Sequence, residues 1–408
     1  MTLLRAGAHH VVIGASAAGV SAAMAMRSSG FEGRITLVDA SSHLPYERPP
    51  LSKTFPVTLR PIVSEQTYAD HGVELRRGAR VVELDPAARA VVLEGGQRLR
   101  ADAVLLATGV SARTLGVPGE HLGNVLTLRD ADDAARVAAR LDAGGPLVIV
   151  GAGFIGLEAA AVARARGLDV TVVELLPVPL LAVLGADAGG RVRRLHEDRG
   201  VRFRLGATVA QFTGRDEVDG VVLAGGERVP AASVIVGCGV VPNDALARQA
   251  GIDCRAGVVI DSCGRTNRGW AWAAGDVASL VNPHVEGRQR IEHWDVAMRH
   301  GAAVGASMAG RPTPYADVPY FWSDQYGVRL QMYGRGRADD EIVIRAGATA
   351  ESFLAFWLRG GRLAAAAGIG AAKDLRAAKS LIEARAAVPP AVLADQGSSL
   401  RALTRSAP

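Results

Sequence analysis

What most limits how this chain can fold is a repeated unit: an apolar strand, a glycine-rich turn, a helix, and a second strand closing on an acidic residue. In the first copy His10-Val-Val-Ile13 runs into Gly14, Ala15, Ser16, Ala17, Ala18 and Gly19, and the strand Ile35-Thr-Leu-Val38 ends on Asp39. In the second, Leu147-Val-Ile-Val150 runs into Gly151, Ala152, Gly153, Phe154, Ile155 and Gly156, and Val170-Thr-Val-Val173 ends on Glu174. The spacings from Gly14 to Asp39 and from Gly151 to Glu174 are nearly equal, so the two units share one plan. Such glycines allow a tight turn, let the backbone approach a pyrophosphate and aim a helix N-terminus at it, while the acid is placed to grip an adenosine ribose. One such turn is weak evidence. Two in full strand–helix–strand context imply two dinucleotides, and so electron transfer.

The chain has 408 residues, enough for about two or three domains. Its sparse aromatics and abundance of small apolar residues suit layered α/β architecture. No apolar run reaches the roughly 20 residues of a membrane-spanning helix. The sequence enters a strand without a charged, apolar and cleavable leader, so a cytoplasmic protein without membrane attachment is expected.

Residues 113–240 repeat the plan of residues 1–108. Val73-Glu-Leu75, Val81-Val-Glu-Leu84, Val91-Val-Leu93 and Ala103-Val-Leu-Leu-Ala107-Thr108-Gly109 have counterparts in Val201-Arg-Phe-Arg-Leu205, the turn at Ala224-Gly-Gly-Glu227, and Ser233-Val-Ile-Val-Gly-Cys-Gly239. This reads as an internal duplication. Val258-Val-Ile260 and Ala271-Trp-Ala-Ala-Gly275-Asp276 are expected to return to the first domain. Residues 313–387 change character, with alternating strands and then a helix over 371–387. The Pro/Ser/Ala/Arg-rich tail over 389–408 is expected to be loosely held. The fold class is therefore α/β: two Rossmann-like three-layer dinucleotide-binding domains plus an α+β C-terminal domain.

Several strings narrow this further: Tyr46-Glu-Arg48-Pro-Pro-Leu-Ser-Lys53, Ala107-Thr-Gly109, Gly237-Cys-Gly-Val-Val-Pro-Asn243, Ala274-Gly-Asp276 and Pro319-Tyr-Phe-Trp-Ser-Asp-Gln-Tyr326. Through them the chain resembles the NADH-dependent ferredoxin reductases of bacterial oxygenase systems, the putidaredoxin reductase-like branch of the glutathione-reductase-like flavoproteins. The resemblance spans about residues 9–385. It implies an FAD-binding domain over 1–112 and 241–312, an NADH-binding domain over 113–240, and a C-terminal domain over 313–408. Gly14, Ala15, Ser16, Ala18, Gly19 and Asp39 would hold FAD, with Ser16 in place of the usual second glycine. Arg48, Val81, Ala107, Thr108, Gly109, Arg129, Gly275 and Asp276 would complete that site, Val81 at the adenine and Asp276 at the ribityl chain or pyrophosphate. Gly151, Gly153, Phe154, Ile155, Gly156, Glu174 and Gly239 would hold NADH. Glu174 suits two ribose hydroxyls and repels a 2′-phosphate, and Leu175-Leu-Pro177 offers no arginine to bind one.

Lys53 stands out on residue counts alone. The chain has 43 Arg and three Lys, and Lys53 is the single lysine ahead of Lys373. This rarity points to a position that needs a compact ammonium rather than the default guanidinium, against the plain alternative of a drifted surface cation. The resemblance places it against the flavin ring, paired with Glu158, both as catalytic residues. It also implies that Trp294, in Glu292-His-Trp-Asp-Val-Ala297, lies along the flavin and that Trp322 lies beside it toward a partner; on residue type alone Trp322 is equally a core tryptophan. Asp295-Val296 departs from the pattern of the family, which often carries a polar residue and Asn there.

Three cysteines, Cys238, Cys254 and Cys263, show no redox spacing, and the histidines are scattered, so neither a thiol relay nor a metal site is expected. Electrons must leave the flavin directly. Residues 281–408 hold 16 Lys+Arg against 12 Asp+Glu, whereas residues 1–280 hold 30 against 29. The C-terminal third is thus the better docking face for an acidic partner, although plain solvated charge fits too. Nucleic-acid binding is not expected. The reading is an NADH:ferredoxin oxidoreductase, monomeric or weakly dimeric, serving a monooxygenase or ring-hydroxylating dioxygenase through an acidic 2Fe–2S ferredoxin, steered by arginines such as Arg311, Arg335 and Arg337. The alternatives are an apoptosis-inducing-factor-like NADH-responsive flavoprotein and an NADH oxidase.

Overall fold

Short strands buried on both faces build the core of the first half of the molecule. The computed structural model describes residues 7–404, which divide into two compact units. The first unit holds residues 7–47, 59–111 and 241–319; the second holds 48–58, 112–240 and 320–404. Residues 1–6, where a leader would begin, and 405–408, the end of the tail, lie outside the described residues.

In the first unit five parallel strands run in the order Ala271–Ala273, Ala103–Leu106, His9–Ile13, Arg34–Val38, Val73–Arg76. Val11, Ile13, Val104 and Leu106 face an antiparallel meander through Leu84, Val91 and Leu99. Val12, Leu105, Ile35 and Leu37 face helices through Ala18, Ala22 and Met26. Burial on both faces explains why these strands read as unbroken apolar runs. The helix Ala17–Ser28 lies against Trp294–Met308 at backbone distance, because a Cβ at Gly301 or Gly305 would meet the Ala18 or Ala22 carbonyl oxygen at 2.3 Å. Val258–Val259 stays in this unit but pairs with Ala278–Asn282 instead of joining the parallel sheet.

The second unit repeats the five-stranded parallel sheet in the order Arg202–Leu205, Val170–Glu174, Leu147–Val150, Ser233–Val236, Val125–Leu126. Its meander covers Val148 and Val150 with Phe212, Val221 and Val229. The two sheets differ at one edge: the strand there arrives from downstream in the first unit and from upstream in the second. The same unit holds a five-stranded antiparallel sheet, Tyr320–Gln325, Val328–Gly334, Arg362–Ile369, Phe353–Arg359 and Glu341–Ala346 in spatial order, with the helix Ala372–Glu383 packed on it. The α/β architecture with its α+β C-terminal part is therefore present.

The tail differs from expectation. Through residue 404 it is docked, since Leu393 and Leu400 are fully buried. Arg345, itself buried, donates to the carbonyls of Leu393 (2.6 Å), Val392 (2.9 Å) and Ser398 (3.1 Å). A composition rich in Pro, Ser, Ala and Arg concealed two apolar anchors and three carbonyls for a buried cation. The segment 48–58 also groups with the second unit rather than with the sequence around it.

Candidate active site

The two glycine turns have the same construction. Gly14 and Gly151 take φ of +102° and +105°, which L side chains rarely adopt. Each is pinned by its amide donating to a strand carbonyl at 2.8 Å, Val38 in one case and Val173 in the other. The acid then closes the turn. Asp39 accepts from the Ala15 amide at 2.5 Å and the Ser41 amide at 2.7 Å; Glu174 accepts from the Ala152 amide at 2.6 Å and the Leu176 amide at 2.8 Å. Each carboxylate keeps lone pairs for a ribose diol.

The residue two after the first glycine heads each helix. Ser16 is the N-cap of Ala17–Ser28 and Gly153 that of Phe154–Ala165, neither making a side-chain cap. The first-turn amides therefore have no side-chain acceptor from the cap, as an anion site requires. A Cβ built on Gly153 meets nothing within 4 Å, so the space a pyrophosphate needs is open. The residues fit two dinucleotides. Several other positions for the first one are gathered in its unit, whereas Arg48 and Arg129 belong to the second. Gly275 lies on Ala18, where an added Cβ would come 2.7 Å from the Ala18 Cβ, and its amide donates to His300 Nδ1 at 3.2 Å. Asp276 follows in the same short turn. The Thr108–Gly109 turn is clamped by Asn243, which donates to the Thr108 carbonyl at 3.0 Å and whose own carbonyl accepts from Thr108 Oγ1 at 2.7 Å. Val81 opens the first strand of the meander. Trp294 packs against the core beside that cradle's helix. Of the departing pair, Val296 is buried and Asp295 pairs with Arg299 at 2.9 Å.

In the second unit Arg48 caps the turn Pro49–Ser52, half-buried, and Arg129 is half-buried ahead of the helix Ala131–Ala143. Gly239, at φ +98°, follows the strand beside the second cradle. Lys53 and Glu158 do meet, Nζ to Oε1 at 2.7 Å. Glu158 is 3% exposed. It also accepts from Ser323 Oγ at 2.5 Å and from Ser52 Oγ. A buried carboxylate with a cation and two hydroxyls is fully compensated, and losing any donor leaves charge uncompensated. Nothing in the sequence marks Ser52 and Ser323 for this role, although they lie within Tyr46–Lys53 and Pro319–Tyr326. Phe321 on the same strand meets Phe154 of the cradle helix at a tilt, with ring centroids 4.5 Å apart. Trp322 points the other way, half-buried and stacked on Tyr320 at 5.8 Å.

The three cysteines are free thiols, and burial raises Cys238 and Cys254 above the ordinary thiol value, away from thiolate reactivity. No cluster of metal-ligating side chains is found among the described residues, and no helix of the described residues is long and apolar enough to cross a membrane. Arg311, Arg335 and Arg337 are exposed, and Arg337 pairs with Asp339 at 3.0 Å.

Two dinucleotide cradles and a buried, lysine-paired carboxylate, in a chain without a thiol pair, define a nucleotide-dependent electron-transfer protein. The chain belongs to the pyridine nucleotide-disulphide oxidoreductase family, whose model matches residues 8–301, and its residues 320–404 match the reductase C-terminal family. The ferredoxin reductase component of chlorobenzene dioxygenase from Cupriavidus sp. is 39% identical over 402 residues, covering 98% of each chain. The ferredoxin–NAD(+) reductase component of the biphenyl dioxygenase system from Paraburkholderia xenovorans is 38% identical over 403 residues, covering 97% of this chain and 98% of that protein. Among solved structures, the covalent putidaredoxin reductase–putidaredoxin complex matches with a TM-score of 0.94 and 31% identity, covering 99% of both chains.

Proposed function

We propose that the chain is an NADH:ferredoxin oxidoreductase that carries FAD. The observation supporting this most strongly is the pair of cradles built on one plan, each closed by a carboxylate on a turn amide, in a chain whose three cysteines are free thiols. FAD, when bound, accepts the two electrons of a hydride and can release them singly. Gly14, Ser16 and Gly19 bind its pyrophosphate and Asp39 its ribose, with Thr108, Gly109, Gly275 and Asp276 lining the same site. Gly151, Gly153 and Gly156 bind the pyrophosphate of NADH, and Glu174 its adenosine ribose. Lys53, oriented by Glu158, is the cation assigned to the flavin ring, and Glu158 in turn orients the nicotinamide. Trp322 and the exposed arginines serve an acidic 2Fe–2S ferredoxin, and the working unit is a monomer or weak dimer.

Nucleotide choice tests the reading. The Glu174 carboxylate would face a 2′-phosphate with like charge, so catalytic efficiency with NADH is expected to exceed that with NADPH by at least about a hundredfold. Equal efficiencies would reject the assignment of Glu174.

A further inference from the structure

Glu158 is the end of a longer structure. Its carboxylate accepts the Ser323 proton at 2.5 Å, so Ser323 Oγ can only accept from its next neighbour, Gln325 Nε2, at 3.0 Å. That fixes the amide, and Gln325 Oε1 then faces His196 Nε2 at 2.8 Å as an acceptor. His196 must carry its proton on Nε2, which leaves Nδ1 to accept from the Tyr326 hydroxyl at 3.0 Å. Every donor in the series points toward Glu158. His196 and Ser323 are wholly buried and Gln325 is 5% exposed.

The surroundings fix the far end as well. Burial pushes His196 down to about 4, the Gln325 contact opposes this and Arg199 adds to it, so the ring is neutral. Phe203 meets the ring edge-on, and the Arg199 guanidinium lies 4.6 Å from the Tyr326 ring centre while pairing with Glu351 at 2.6 Å. Tyr326 sits at φ +51° ahead of Gly327 at φ +79°, in the two-residue turn between Tyr320–Gln325 and Val328–Gly334. Asn or Gly is the usual occupant of such a turn, so a tyrosine there is a strained choice that its hydroxyl contact accounts for.

We propose that Ser323, Gln325, His196 and Tyr326 are positioning residues for Glu158: a hydrogen-bond chain of single polarity that holds the carboxylate on Lys53 and does not conduct protons. The amide of Gln325 does not release a proton at neutral pH, so the series orients Glu158 without changing its charge. The functional part rests on the reading that Glu158 serves hydride transfer from NADH.

Two measurements test it. Imidazole ¹⁵N NMR of the FAD-loaded protein is expected to show His196 neutral with its proton on Nε2 from about pH 5 to about pH 8. A proton on Nδ1, or an imidazolium, overturns the chain whatever the activity. In rapid mixing with NADH, His196→Leu is expected to slow the limiting rate of flavin bleaching about tenfold while the half-saturating NADH concentration moves less than about twofold. His196→Gln, whose amide can donate where Nε2 did, is expected to recover to within about threefold of the unsubstituted protein. An unchanged rate in His196→Leu, or no recovery in His196→Gln, overturns the positioning role. Should His196→Leu not fold, Tyr326→Phe removes only the last hydroxyl, and a rate equal to that of the unsubstituted protein has the same meaning. Failure of the unsubstituted protein itself to be bleached by NADH rejects the reading of function, and the NMR result still decides the chain.

Discussion

Replacing Gly156 by alanine should cripple one cradle and spare the other. A Cβ at Gly156 would lie 2.2 Å from the Gly151 carbonyl oxygen and 3.2 Å from Ile149 Cγ2. Real Cβ atoms essentially never come within 3.0 Å, so the helix start must retreat by close to an ångström. Overpacking of this kind costs about 1–3 kcal/mol. The retreat draws the first-turn amides off the pyrophosphate, and one lost charge-assisted hydrogen bond is worth about 2 kcal/mol, or roughly thirtyfold in affinity. The mirror change, Gly19→Ala, puts a Cβ 1.9 Å from the Gly14 carbonyl oxygen and damages the first cradle in the same way. The assay is FAD content after gel filtration, followed by titration of flavin bleaching with NADH. Gly156→Ala is expected to keep its FAD and need roughly thirtyfold more NADH, while Gly19→Ala is expected to lose FAD. If Gly156→Ala sheds FAD while Gly19→Ala retains it, the two cradles are assigned the wrong way round.

Three further outcomes follow from the geometry. Lys53→Met leaves the 3%-exposed Glu158 carboxylate without its cation; flavin reduction is expected to slow at least about tenfold, and a rate matching that of the unsubstituted protein would remove Lys53 from the site. His196 and His300 are both buried and held down to about 4, mainly by desolvation. The unfolded chain takes up these protons below about pH 6.5 and the native chain does not, so stability is complete above that value. It is lost as pH falls toward 4, at up to about 1.4 kcal/mol per pH unit per histidine. Urea unfolding at several pH values checks this, and a flat midpoint between pH 7 and about 4.5 contradicts it. Arg345→Met strips three tail carbonyls of their donor; at roughly 3 kcal/mol the docked tail opens about a hundredfold more often. Limited proteolysis is then expected to cut within residues 389–404 much faster, and an unchanged cleavage rate would show that Leu393 and Leu400 hold the tail alone.

Both cradles and both acids were legible in the sequence because each is a local pattern, with glycines, strand periods and closing acid inside one strand–helix–strand unit. Lys53 was legible for a different reason, its rarity against an arginine background. What could not be read was the set of groups that act through long contacts. Ser52 and Ser323 reach Glu158 across 106 and 165 residues, and a serine carries no sign of its partner. The same holds for His196 and Gln325, separated by 129 residues. The strand Arg362–Ile369 escaped because its run of alanines favours a helix; its central alanines are fully buried, and packing in the sheet overrides propensity. Val125–Leu126 is too short for any period to show, yet it supplies the edge that distinguishes the second sheet from the first.

The most direct measurement of the central proposal is NADH-driven cytochrome c reduction by the FAD-loaded protein, with and without an acidic 2Fe–2S ferredoxin, at low and high ionic strength. A large rise that saturates with ferredoxin and falls steeply with added salt is expected, as electrostatic docking requires. Rapid bleaching of the flavin by NADH, with no gain from any ferredoxin and a long-lived reduced complex, would contradict it and favour an NADH-responsive switch.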